Sequence, residues 1–216
     1  MRRFLFKNIA NVVSILGVLP LALLYLDDGY QYLLPLIVFN NVMDDLDGIL
    51  ATKLNIKSRF GADLDNVCDA VAHVAITFAL GVHFGGVVLI ASIVASGAVI
   101  LRATFRLNPD ILGGGSPTNE LMRHLLFVLL LANIFHINPD YLLVVVLLFN
   151  TISMSSSKKM TAMIRSQAKT ASSVILINIS LIISLLLPIL TPYIAIVFFT
   201  TYLYAFFTSK SVSNDA

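Results

Sequence analysis

The 14 Lys and Arg residues of this 216-residue chain fall into alternate gaps between eight apolar stretches. The stretches run roughly from Ile9 to Leu26, Tyr30 to Leu50, Val67 to Val82, Gly85 to Phe105, Leu121 to Phe135, Tyr141 to Met154, Ala171 to Leu187 and Ile189 to Phe207. Arg2, Arg3 and Lys7 precede the first; Lys53, Lys57 and Arg59 follow the second. Arg102, Arg106 and Arg123 lie in or beside the connection of the fourth and fifth. Lys158, Lys159, Arg165 and Lys169 follow the sixth, and Lys210 follows the eighth. The intervening connections carry no Lys or Arg. Because basic loops stay cytoplasmic, eight crossings with both termini in the cytoplasm place every basic residue on one side. Merging two neighbouring stretches spoils that partition.

The sequence predicts an all-α integral membrane protein, a bundle of about eight transmembrane helices. Charged residues make up 12% of the chain, about half the share in a soluble domain, and mean hydropathy is +0.90. Barrel strands alternate apolar with polar residues, and these runs do not. Several are shorter than the ~20 residues that cross the hydrocarbon core. The second and third gain length by extending into the polar segment between them. The basic N-terminus raises the question of a signal peptide. However, Leu26 is followed directly by Asp27 and Asp28 without a small-residue cleavage site, so the first stretch reads as a retained span. A lone Cys68 rules out a disulfide framework or a cysteine-based metal site. The remaining polar stretches hold no soluble domain, and residues 1–216 are expected to form one transmembrane domain.

Six of the 12 acidic residues lie between Asp44 and Asp69, where the second and third spans end. Ionisable groups at membrane depth are costly and usually functional. Asp44 and Asp47 share a helix face at i,i+3 with Gly48 and Ala51; Asp65 and Asp69 share one at i,i+4 with Gly61. Two helices joined by a short loop can thus aim four carboxylates at one volume. Carboxylates that close must protonate or bind cations, and an all-oxygen site suits Mg²⁺ or Mn²⁺. Two such ions clamp a diphosphate. Asp45 and Asp63 fall off the shared faces and read as supporting or solvated groups.

The segment reads Asp44-x2-Asp47-Gly48-x2-Ala51-Thr52-x8-Gly61-x3-Asp65-x3-Asp69. It resembles the signature of the CDP-alcohol phosphatidyltransferase family, D-x2-D-G-x2-A-R-x8-G-x3-D-x3-D, with Thr52 in place of the Arg. The resemblance implies a two-metal site held by Asp44, Asp47, Asp65 and Asp69, with Asp69 also the general base for the acceptor hydroxyl. It implies transfer of a phosphatidyl group from CDP-diacylglycerol to a small polar alcohol, with release of CMP, at a site facing the cytoplasm of the cell membrane. Gly48 and Ser58 resemble donor contacts, and Ala51 and Gly61 line the nucleotide pocket. Thr52 removes a cation from the diphosphate, which Lys53, Lys57 or Arg59 could replace. Family members are commonly homodimers; no nucleic-acid partner is expected.

Within the family, Phe60 to Val71 is most similar to phosphatidylserine synthases, which favour an acidic residue at the position of Asp63. L-Serine is therefore the favoured acceptor, and glycerol 3-phosphate, an inositol phosphate or another head-group alcohol the alternative. Arg102 and Arg106, at i,i+4, are candidates to hold a serine carboxylate or the lipid phosphate, or are topological anchors. His73 is more simply a satisfied interior residue than an acceptor contact. Glu120 fits helix-dipole stabilisation. Asn8 and Asn11 could cap the first helix or touch the nucleotide. Gly113 to Gly115 reads as a flexible connection. From another class, the alternative is a cation or substrate transporter that binds its cargo on the aspartates.

Overall fold

The computed structural model describes residues 6–108 and 115–211. Arg2 and Arg3 of the basic N-terminus, and Gly113 and Gly114 of the glycine run, lie outside the described residues. Among those described, eight helices have ten residues or more, and they correspond one for one to the eight apolar stretches.

Helix α1, Ile9–Val18, gives way at Pro20 to a 3₁₀ segment, Leu19–Tyr25. Proline has no N–H to continue the α ladder, and the tighter turn follows. A second 3₁₀ turn, Gly29–Tyr32, leads into α2, Leu33–Lys53. Helix α3, Arg59–Phe84, starts before the apolar stretch at Val67 and extends into the polar segment, as expected. Ser58 caps it, its hydroxyl accepting from the Gly61 N–H at 3.0 Å, and the polar first turns are retained because they face the acidic site. Gly85, at φ 69°, separates α3 from α4, Gly86–Leu107. Helices α5, Thr118–Phe135, and α6, Asp140–Ser155, meet at His136, whose backbone is left-handed. The short α7, Ile164–Gln167, precedes α8, Ala171–Leu186, which opens on a reciprocal Thr170–Ser173 capping box. A 3₁₀ turn, Pro188–Leu190, leads into α9, Thr191–Thr208. Strands β1, Lys158–Lys159, and β2, Lys210–Ser211, form a small antiparallel pair.

Four segments, Arg59–Phe84, Gly86–Leu107, Thr118–Phe135 and Pro188–Thr208, are long and apolar enough to cross a membrane. Three further helices are apolar but shorter; 16 residues of α6 or α8 reach only about 24 Å at 1.5 Å per residue. Val87, Ile90, Val145, Ile152, Leu176 and Ile196 are all more than half exposed on helix faces. Such a surface suits lipid, with interior packing provided by Ile76, Leu80, Val99, Leu121, Leu125, Leu143, Leu147 and Leu181. Helix α5 runs through the middle of the bundle and is buried along most of its length.

That central position buries two charged residues. Arg123, counted from sequence beside the connection of the fourth and fifth stretches, is 1% exposed and pairs with Glu120, Nη1 to Oε1, at 2.7 Å. Glu120 is likewise a buried ion-pair partner rather than only a complement to the helix dipole. The reason is that α5 begins at Thr118 and nearly all of its first half is buried within the bundle.

Candidate active site

Helices α2 and α3 bring the four aspartates together at one end of the bundle. Asp44, Asp47, Asp65 and Asp69 line a common small cavity with Ser14, Gly17, Asn40 and Cys68. One carboxylate oxygen from each of Asp44, Asp47 and Asp65 lies within 4.8 Å of the others. Oxygen ligands about 2.1 Å from one Mg²⁺ are at most about 4.2 Å apart, so small side-chain adjustments bring three carboxylates onto a shared divalent ion. The donor set is carboxylate oxygen only, which suits a hard cation. These residues fit a divalent metal.

Asp69 is not one of that triplet but lines the same small cavity. Its carboxylate is buried and lies 3.4 Å from Arg106 Nη1. Two other helices steady the cluster. Ser14 of α1 donates to Asp47 Oδ2, and Asn119, in the first turn of α5, donates to Asp44 Oδ2 at 2.6 Å. Neither was singled out from sequence, because each lies far along the chain from its partner. The available signal for Ser14 was the small stripe Ala10, Ser14 and Gly17, all buried on one face of α1.

Two of the aspartates, Asp47 and Asp65, line both of two larger cavities together with Gly48 and Thr52. The smaller, about 270 Å³, is completed by Asn11, Ser14, Ala51, Lys57, Ser58 and Gly61 among others. The larger, about 480 Å³, also includes Asp44, Asp45, Asp69, Lys53, Arg106, Asn119, Arg165 and Lys169. A Cβ on Gly48 meets no atom within 4 Å, so that backbone opens onto free space. At Gly61 a Cβ approaches Asn11 Oδ1 to 3.0 Å and Ser58 Oγ to 3.1 Å. Glycine there lets α1 pack closely on α3. Gly61→Val should therefore push Asn11 and Ser58 into the smaller cavity and raise KM for whatever fills it about tenfold, a loss of about 1.4 kcal/mol. Steady-state kinetics varying one substrate at a time measures this.

Thr52 donates its hydroxyl to Gly48 O at 2.8 Å, so its polar group is engaged by its own helix. Of the cations considered to stand in for the family Arg, Lys57 lines the smaller cavity and Lys53 the larger. Arg59 pairs instead with exposed Asp63 at 3.8 Å. Arg106 lines the larger cavity and Arg102 is not part of that lining. His73 is buried with its Nδ1 2.8 Å from Thr118 Oγ1, a satisfied interior pair. Asn11 reaches the smaller cavity and also donates to Asn8 at 3.1 Å. Asp45 is buried and joined to Arg165 and Asn178, each at 2.8 Å.

Among known protein families, residues 7–207 match the one described as CDP-alcohol phosphatidyltransferase. The chain belongs to that family. CDP-alcohol phosphatidyltransferases are phosphotransferase enzymes that move a head group or lipid phosphate from CDP-alcohols in phospholipid biosynthesis, in general with divalent metal. The match reaches from the residues before α1 to the end of α9, well beyond the aspartate segment. A shorter likeness is to an uncharacterized protein of Aquifex aeolicus (strain VF5), 35% identical over 78 residues. That alignment covers 34% of this chain and 39% of the relative, so about two fifths of the relative's length is spanned.

Proposed function

We propose that this protein transfers a phosphatidyl group from CDP-diacylglycerol to a small polar alcohol and releases CMP. The observation that carries the proposal is that Asp47 and Asp65 line both of two adjoining cavities. A transfer reaction needs a donor on one side of the reacting phosphorus and an acceptor on the other. In this reading the smaller cavity takes the cytidine diphosphate portion, with Gly48, Ala51, Ser58 and Gly61 against the nucleotide and Lys57 supplying charge near the diphosphate. The larger cavity takes the acceptor.

Asp44, Asp47, Asp65 and Asp69 would hold Mg²⁺ or Mn²⁺, as two ions. When bound, the metal neutralises charge on the diphosphate and on the departing CMP. Asp69 accepts the proton of the acceptor hydroxyl. The freed oxygen attacks the phosphorus bearing diacylglycerol, and the bond from that phosphorus to the CMP oxygen breaks. Arg106 holds Asp69 in place and adds positive charge beside the reacting groups. Ser14 and Asn119 fix Asp47 and Asp44, which favours catalysis because positioned charge needs no rearrangement at the moment of reaction.

L-Serine is the acceptor we favour, on the resemblance of the Phe60–Val71 segment to phosphatidylserine synthases. The second reading is a phosphate-bearing alcohol such as glycerol 3-phosphate, favoured by the four cations Lys53, Arg106, Arg165 and Lys169 around the larger cavity. Both acceptors present an anion to that lining. A single domain of eight crossings in the cell membrane, with both termini and the site at the cytoplasmic face, fits the one-sided distribution of basic residues. The resemblance to the family is what supports a homodimer.

An acceptor screen with purified protein and labelled CDP-diacylglycerol tests the reading. Phosphatidylserine is the expected product, and a product carrying any other head group rejects serine. A transporter predicts cargo uptake by vesicles and no release of CMP. Metal dependence has a second readout: Mg²⁺ or Mn²⁺ should raise the melting temperature by relieving repulsion among Asp44, Asp47 and Asp65. Asp47→Asn protein should lose most of that rise, and chelation should abolish turnover in the parent.

A further inference from the structure

We infer that Asp45, outside the four-aspartate signature, positions Arg165 in the larger cavity and so determines affinity for the anionic group of the acceptor. The inference rests on the reading that this cavity takes the acceptor. Asp45 is 3% exposed, and each of its two carboxylate oxygens meets a partner outside the four aspartates. Oδ1 meets Arg165 Nη2 at 2.8 Å, and Oδ2 accepts from Asn178 Nδ2 at 2.8 Å. Asn178 is itself held by Asn41, whose Nδ2 donates to its Oδ1 at 2.8 Å. Asp45 of α2 is therefore tied to α8 by a hydrogen bond that does not involve Arg165.

Arg165 belongs to the four-residue helix α7 in the long connection between α6 and α8. The base of that connection is anchored elsewhere, by β1 on β2 and by Met160 and Met163 packed with Tyr202. At its tip, Arg165 reaches Asp45 with Nη2 and the Ala168 carbonyl with Nη1 at 3.3 Å. Its side chain stays 35% exposed and lines the larger cavity. A guanidinium has five N–H donors in a rigid fork, and these two contacts leave others for an anion. A buried carboxylate thus holds a flexible cation in one geometry, lowering the entropy lost when an anion binds. With Oδ1 in an ion pair with Arg165 and Oδ2 accepting from Asn178, Asp45 acts here as a positioning residue.

The test compares Asp45→Asn, Arg165→Gln and the double variant in detergent-purified full-length protein. Asp45→Asn should raise acceptor KM about tenfold and leave kcat and donor KM within about threefold. Adding Arg165→Gln should cost less than about twofold more, because both changes remove one interaction. Without substrates, trypsin should cut after Arg165 faster in Asp45→Asn than in the parent. If Asp45→Asn protein does not fold, Arg165→Gln alone should show the same acceptor-specific rise. Cleavage and acceptor KM like the parent's in Asp45→Asn overturn the inference, as does a fully additive double variant. A parent protein that turns over no acceptor overturns the functional reading instead.

Discussion

Asp69→Asn protein will release CMP from CDP-diacylglycerol at least about a thousandfold more slowly than the parent, with little change in donor KM. A positioned general base contributes about 10²–10⁴ in rate, and this carboxylate is also assigned to the metal. Asparagine keeps the shape and removes both the proton acceptor and the negative charge facing Arg106 at 3.4 Å. Stopped-time assays of labelled CMP at saturating donor separate kcat from binding. The effect should exceed that of Asn119→Ala, because Asn119 touches Asp44 and not the reacting groups. Comparable losses in the two variants would mean that Asp69 serves position alone.

The second large effect concerns stability. Glu120→Ala will destabilise the folded bundle by about 3–5 kcal/mol, the cost of leaving one charge of a buried pair alone. The two side chains are 4% and 1% exposed, with 2.7 Å between Glu120 Oε1 and Arg123 Nη1. Arg123 Nε and Nη2 have no hydrogen-bond partner among the described residues, so losing Glu120 removes the contact that compensates the guanidinium. Replacing both, as Glu120→Leu with Arg123→Met, should recover most of the loss, since paired apolar substitutes often match a buried ion pair. Equilibrium unfolding in mixed micelles measures both variants. A double variant no more stable than Glu120→Ala would show that the pair is needed for more than mutual compensation.

The eight helices were legible because lipid-facing segments must be apolar, and the polar residues between them mark their ends. The extension of α2 and α3 into the polar segment between them was legible too, although hydropathy alone does not give the start at Arg59. The meeting of the four aspartates was legible from i,i+3 and i,i+4 spacing on helices joined by a short loop. Their supports were not. Ser14 and Asn119 come from helices whose approach depends on packing of the whole bundle. Asp45 looked like an off-face acid because its partners, Arg165 and Asn178, lie more than a hundred residues further on. Arg123 was counted only among the basic residues beside a connection, because its pairing with Glu120 depends on how α5 packs inside the bundle. Arg102 and Arg106 show the limit of spacing alone: one lines the larger cavity and the other does not.

The central claim is that the aspartate cluster performs transfer from a CDP-activated lipid. The most direct measurement is CMP release by purified protein given CDP-diacylglycerol, an alcohol acceptor and Mg²⁺ or Mn²⁺, beside the Asp69→Asn variant. The account predicts release that requires both acceptor and divalent metal, is matched by one equivalent of lipid product, and is lost in the variant. Release that continues undiminished in Asp69→Asn, or none from the parent with any acceptor, would contradict it.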